Sequence, residues 1–439
     1  MSGIIGIFAF DELWKVSRFV YYGLLALQHR GQETTGIAIG DGRTLRIHHG
    51  KGFVDQVYNE AILDDLTGWY GIGYVGASPD DFQPALVKHD DTRIALVLSG
   101  KLFNINKLAK KFEIKKWENQ ADFLAKAILI EFEKRKDFKE ATAEVMKALH
   151  GGFSFIAINN MGEMIAARGA LGVKPLVVGS FGFDYGVFAS ESCAIDVIGA
   201  DLKADVNPGE LYYLNQYTVE REQVLNPSPK YCAYEYVYLA RPDSRINGVW
   251  IHDVRKKIGE FLAENFDIDA DVVTGIPDTA IPFALAFSNR TRIPVELGFV
   301  ATGRKTRTAI KPTQFERLVG VQLKLNPIKP VFRGKKVIII DDSVVRGTTT
   351  KNTVTLLRNR IGAKEIHVLI GSPRIVAQCP YGIEVPSKDE LIAAHLTEEE
   401  VAKVVGADSF HWLSIEDFIR AVGIPREHLC LKCFGGDEE

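Results

Sequence analysis

Apolar residues fall in two different rhythms along this chain. Up to about residue 225 the apolar runs are short and rich in β-branched residues. IIGIFAF, GIAIG, TLRIHHG, GIGYVG, ALVLSG, FSFIAI and EMIAAR are separated by glycine turns and predict strands. Apolar residues at three- and four-residue spacing predict two longer helices among them, over 14–28 and 122–135. From about Ala233 the texture changes. Helical stretches such as VRKKIGEFLAEN alternate with DVVTGI, VIIII and EIHVLIG, the βαβ pattern of a parallel sheet. A break near residues 225–232, at NPSPK, divides an α+β layered domain (1–228) from an α/β domain with a C-terminal helical, cysteine-bearing segment (229–439).

A length of 439 residues exceeds the ~100–200 of one domain, and a 46% hydrophobic share supplies real cores. The net charge of −3 carries no footprint for nucleic acid or an anionic membrane. No apolar stretch approaches the ~20 residues of a membrane span, and the amino terminus has no signal-peptide core, so a cytoplasmic location is expected.

The most informative segment is 337–350, VIIIDDSVVRGTTT, an apolar strand run that ends in Asp341–Asp342 and a loop of Ser, Gly and Thr. An acidic pair after a strand is by itself an ordinary turn or cap. Here Ser343, Arg346, Gly347, Thr348, Thr349 and Thr350 add N–H groups and hydroxyls suited to a sugar phosphate, with the carboxylates left for ribose hydroxyls. The segment resembles the signature of type I phosphoribosyltransferases, which bind phosphoribosyl pyrophosphate.

LQHRGQETTGIAI (27–39), SESCAID (190–196), EYVYLARPDS (235–244) and KLNPI (324–328), together with DDSVVRGTT, extend the resemblance over nearly the whole chain. It is similar to the glutamine-dependent amidophosphoribosyltransferases. That resemblance implies an N-terminal-nucleophile glutaminase sandwich followed by a type I phosphoribosyltransferase domain with a parallel sheet. It also implies the first step of purine biosynthesis, 5-phosphoribosylamine and pyrophosphate formed from phosphoribosyl pyrophosphate. By the same resemblance, Ile276–Thr279 is the pyrophosphate loop, with Asp278 against the substrate and Thr279 at a magnesium-linked position. Asp341 and Asp342 contact metal and ribose, 343–350 hold the 5′-phosphate, and Arg307 and Lys324 are cations aimed at pyrophosphate, whose neutralisation dominates the electrostatics. The mobile loop departs from the family at Thr302, Gly303 and Arg304, which alters the expected closure. Homo-oligomers, a hetero-oligomer with an active paralogue, and inhibition by purine nucleotides are further family-type expectations.

Four of the five cysteines, Cys232, Cys379, Cys430 and Cys433, match a branch of the family that carries a [4Fe–4S] cluster. A structural zinc would use the same thiolates. Cys193 has no matching role and reads as a small buried hydrophobe.

The glutaminase half departs from the family at its chemistry. The family nucleophile is a cysteine exposed at the mature amino terminus, and Ser2 stands there instead. Gly76, in Gly73-Tyr74-Val75-Gly76-Ala77, replaces the arginine that holds the glutamine α-carboxylate. Ser99–Gly100 replaces the Asn-Gly oxyanion pair, and Gln120 replaces the aspartate for the substrate amino group, unless Asp122 takes that position. Losing one oxyanion donor costs roughly 100- to 1000-fold, and an unmade bond to the carboxylate adds about 1.5–3 kcal/mol. A degenerate glutaminase pocket is therefore expected. Three readings follow: a transferase using ammonia rather than its own glutamine hydrolysis, a non-catalytic or regulatory subunit paired with a glutaminase-competent paralogue, and a serine-dependent amidase.

Overall fold

The structure, a computed structural model, describes residues 2–301 and 325–436. The N-terminal half is a sandwich of two antiparallel sheets. In spatial order the first holds 201–205, 177–181, 185–189, 2–9, 70–76, 34–40 and 45–51, and the second 219–223, 210–214, 164–168, 151–159, 92–102 and 85–89. Alternation along each strand sorts the apolar residues into two cores. On the strand Thr92–Leu102, Ala95 and Val97 face the other sheet, while Ile94, Leu96 and Leu98 pack under the helices Gln120–Arg135 and Phe138–Ala148. On Gly151–Asn159, Ile156 and Ile158 turn inward, while Phe153, Phe155 and Ala157 turn to the helices. Helix Ser17–Ala26 covers the far face of the first sheet through Val20 and Leu24. Strands buried on both faces read as continuous apolar runs rather than clean alternation, as FSFIAI and ALVLSG do in the sequence.

The two predicted helices are present with shifted ends. The first is shorter, Ser17–Ala26, because Trp14 N–H closes a turn on Asp11 and the chain tightens into a single 3₁₀ turn at Gln28–Arg30. The second begins earlier, at Gln120, where the Asn119 side chain accepts the Asp122 N–H as an N-cap.

The last strand of the sandwich ends at Gln223, and Tyr231–Cys232 already pairs with Leu429–Cys430 near the carboxyl end. The C-terminal half is built on four parallel strands in the order Val272–Gly275, Lys336–Asp341, Glu365–Ile370 and Ser409–Trp412. Ile338 and Ile340 pack with helices Ile251–Asn265 and Ile281–Thr291 on one face. Val337 and Ile339 pack with Thr348–Leu356 and Glu398–Val405 on the other. Burial on both faces is why the VIIII run carries no polar alternation.

Candidate active site

The acidic pair stands where the strand Lys336–Asp341 runs out at the carboxyl edge of the sheet, the edge at which open α/β sheets bind ligands. Beside it, the neighbouring strand ends at Gly275 and leads into 276–279. Gly275 is paired with Ile340, and Ile276 N–H donates to the Ile340 carbonyl at 2.8 Å. The two loops expected to share one substrate thus leave adjacent strands. Burial, and then the charge of Asp342, push the Asp341 carboxyl well above the usual carboxylate range. Two carboxylates held this way favour a cation between or beside them, so the donor set fits magnesium.

After the pair, the chain turns at Gly347 (φ 73°), where a side chain would meet Ile392 Cδ1 at 2.8 Å, and enters the helix Thr348–Leu356. Among the described residues, none of the N–H groups from 344 to 350 donates a hydrogen bond. They form a row of free donors at a helix N-terminus, with the polarity an anion requires. Thr349 and Thr350 line a small cavity under the site together with Ile276 and Asp341. Two expected side chains are otherwise engaged. Ser343 Oγ donates to Asp342 Oδ1 at 2.7 Å, and Arg346 Nε donates to Glu390 at 2.7 Å in a largely exposed pair. Asp278 is exposed and Thr279 half-buried on the neighbouring loop. Arg307, Lys324 and the loop 302–310 lie outside the described residues.

The four cysteines come from three segments into one corner. Cys232 is the register partner of Cys430, and the carbonyl of Cys433 accepts N–H groups of Val376 (2.9 Å) and Ala377 (3.2 Å), just before Cys379. Cys232, Cys430 and Cys433 are buried in one apolar cluster, and Cys379 packs against it. Burial pushes the Cys232 thiol well up, with Glu235 adding to it. Among the described residues, no three His, Cys, Asp or Glu side chains are grouped as around a metal ion. The four cysteines share one apolar corner without being grouped as ligands, and thiolates are the donors an iron–sulfur cluster would use there.

In the N-terminal half, Ser2 opens on a cavity of about 550 Å³. Its hydroxyl donates to Ser99 Oγ at 3.0 Å, and Arg30 Nε donates to its carbonyl at 3.1 Å. Beside Ser2, Gly76 is its strand partner, and the space a side chain there would need is taken by the Tyr74 ring. The Tyr74 hydroxyl donates to Asp81 Oδ2 at 2.7 Å, so the wall near position 76 carries a phenol and a carboxylate in place of a guanidinium. Gln120 lines the cavity, with its Oε1 accepting the Leu102 N–H at 2.8 Å. Asp122 does not line it; it accepts the Glu118 N–H of the segment leading into the helix and pairs with Lys126. Gln120 is therefore the residue at the cavity, and Asp122 is not a substitute for it.

Two features were not singled out from sequence. Lys174, 3% exposed, lines the cavity, and its charge acts on the Cys232 thiol. A buried triad also joins the halves: Arg30 Nη1 donates to Glu191 at 2.5 Å and Arg30 Nη2 to Glu235 at 2.6 Å, while His29 meets Glu191 at 2.7 Å. All the charged members sit in the motifs QHRG, SESC and EYVY, so opposite charges in separate motifs were the available signal.

Comparison with known proteins agrees with this geometry. A glutamine amidotransferase domain family model matches residues 74–197, and a phosphoribosyl transferase domain model matches 250–372. The amidophosphoribosyltransferase of Methanocaldococcus jannaschii is 38% identical, over 99% of this chain and 97% of its own length. This chain belongs to the amidophosphoribosyltransferase family. The family enzyme of Bacillus subtilis is 37% identical over 99% of this chain and 93% of its own. The solved structure of the Bacillus subtilis glutamine phosphoribosylpyrophosphate amidotransferase, complexed with ADP and GMP, superposes with a TM-score of 0.90 at 37% identity, covering 99% of this chain and 96% of that one. A second solved structure, described as the allosteric regulatory enzyme of purine biosynthesis, also gives 0.90, at 36% identity and with 99% and 95% coverage.

Proposed function

We propose that this amidophosphoribosyltransferase makes 5-phosphoribosylamine with ammonia and does not draw on glutamine hydrolysis in its own N-terminal cavity. The observation that carries the transferase half is the acidic pair followed by a row of free N–H donors at the carboxyl edge of the parallel sheet. Those donors hold the 5′-phosphate, the carboxylates take the ribose hydroxyls, and the sugar is fixed with its C1 open to attack. The nitrogen lone pair of ammonia forms the C1–N bond as the C1–O bond to pyrophosphate breaks, and the nitrogen then releases a proton to water. Magnesium, when bound, neutralises the leaving pyrophosphate.

The loss of glutamine use rests on the cavity wall. Tyr74 and Asp81 stand where a carboxylate anchor is needed, and the Ser2 hydroxyl is committed to Ser99. At that wall an anion meets the Asp81 carboxylate, and the cations of the cavity are Lys101 and Lys174. Ammonia then comes from solution or from a glutaminase-competent partner chain. An iron–sulfur cluster on Cys232, Cys379, Cys430 and Cys433 would tie three chain segments together by thiolate bonds, a structural rather than catalytic contribution. Purine nucleotides are the expected inhibitors, as the Bacillus subtilis relative is complexed with ADP and GMP.

Pyrophosphate release from phosphoribosyl pyrophosphate and magnesium, measured with ammonium chloride or with glutamine on anaerobically purified protein, tests this reading. Turnover with ammonium alone is expected. Comparable turnover with glutamine would overturn the account of the cavity, and silence with both would overturn the transferase assignment.

A further inference from the structure

Tyr234 stands at a node between the cysteine corner and the acidic pair. It follows Cys232 by two residues and precedes a single widened helical turn, Glu235–Leu239, held by the buried Arg255: its guanidinium reaches the carbonyls of Tyr236 (3.3 Å) and Tyr238 (3.3 Å) within the turn and of Ala240 (2.7 Å) just after it. The Tyr234 ring is buried between Tyr238 and Phe434. Its hydroxyl lies 3.1 Å from Ser343 Oγ, and that same oxygen is 2.7 Å from Asp342 Oδ1. The Ser343 hydroxyl has one proton, and it goes to the carboxylate, so the phenol is the donor to Ser343. The result is a one-way chain, Tyr234 to Ser343 to Asp342, in which each donor polarises the next.

We propose that Tyr234 is a positioning residue of the transferase site: through Ser343 it fixes the orientation of the Asp342 carboxylate toward the bound sugar. The inference rests on the reading of Asp342 as a phosphoribosyl pyrophosphate ligand. A serine hydroxyl on a loop rotates freely, and one donor held in a rigid buried ring removes that freedom. Without it, Ser343 keeps its bond to Asp342 only in competition with other rotamers, and the carboxylate samples orientations that do not meet the ribose. The ring itself is packing; the hydroxyl is what the site uses.

Tyr234→Phe keeps the packing and removes only the donor. With saturating ammonium and magnesium, the KM for phosphoribosyl pyrophosphate is expected to rise about 5- to 10-fold, with kcat within twofold and the thermal midpoint unchanged. Ser343→Ala breaks the chain one step later, and adding Tyr234→Phe to it is expected to cost nothing more, since both act through one path. An unchanged KM in Tyr234→Phe, or losses that multiply in the double variant, would overturn the inference. A wild-type protein that releases no pyrophosphate and binds no phosphoribosyl pyrophosphate by calorimetry would overturn the transferase reading and this inference with it. A loss of thermal midpoint equal in Tyr234→Phe and Tyr234→Leu, with KM following it, would reduce Tyr234 to packing and also overturn the proposal.

Discussion

Tyr74 occupies the room that a side chain at Gly76 would need: a Cβ on that glycine would stand 2.5 Å from the Tyr74 hydroxyl oxygen. The two residues are two apart on one strand and so share a face. The phenol is held in place by Asp81, which also accepts from Gln83. Gly76→Ala is therefore expected to lower stability by about 1–3 kcal/mol, read as a shift of the urea midpoint at unchanged slope. In a Tyr74→Ala background the same change should cost little. Equal costs in both backgrounds would show that the ring is not the obstacle.

The Arg30 triad predicts a pH signature. Burial opposes ionisation of Glu191 most strongly, but His29 and Arg30 outweigh it and hold the carboxyl well below its ordinary value of 4.5. A depressed carboxylate contributes stability that is complete above its unfolded pKa and is lost as pH falls toward the folded one. Glu191→Gln leaves a buried guanidinium with one partner fewer and is expected to cost about 3 kcal/mol at neutral pH. The gap between variant and wild type should hold steady above pH ~5 and narrow below it. Chemical denaturation at several pH values measures this, and a gap that widened on acidification would contradict it.

Asp341 sets stability against activity. Burial and the charge of Asp342 both disfavour its ionised form in the protein without metal. Asp341→Asn removes that repulsion and is expected to raise the thermal midpoint of metal-free protein, by an amount on the order of 1 kcal/mol, while cutting pyrophosphate release at least tenfold. A midpoint that fell would mean the carboxylate already has a stabilising partner.

The cysteine corner is tested by iron content and visible absorbance. Anaerobically purified protein is expected to carry about four irons per chain, with the brown chromophore lost in Cys430→Ser. Stoichiometric zinc in place of iron would sink the cluster.

Sequence reading reached the loops because their chemistry is local. DDSVVRGTTT places two carboxylates, a turn glycine and a run of hydroxyls within one strand-to-helix transition, and the fold leaves them there. The strand runs were legible for the same reason, whereas the short five-residue strands Val177–Phe181, Tyr185–Ala189 and Glu210–Leu214 went unread. What sequence could not supply were contacts between distant positions. Gly76 read as a missing arginine, but that Tyr74 and Asp81 fill the gap follows only from the pleat and the loop at 78–83. The choice between Gln120 and Asp122 was open in one dimension. It closes once the N-cap at Asn119 turns Asp122 toward Glu118 and Lys126.

The pairing of Tyr231–Cys232 with Leu429–Cys430 imposes an order on the life of the molecule. The first of these strands follows directly on the sandwich, whereas its partner lies beyond the whole parallel sheet in chain order. Until that partner is made, Cys232 has no strand to pair with. The corner closes only once Leu429–Cys430 is present, so a chain cut before that strand leaves Cys232 without its register partner.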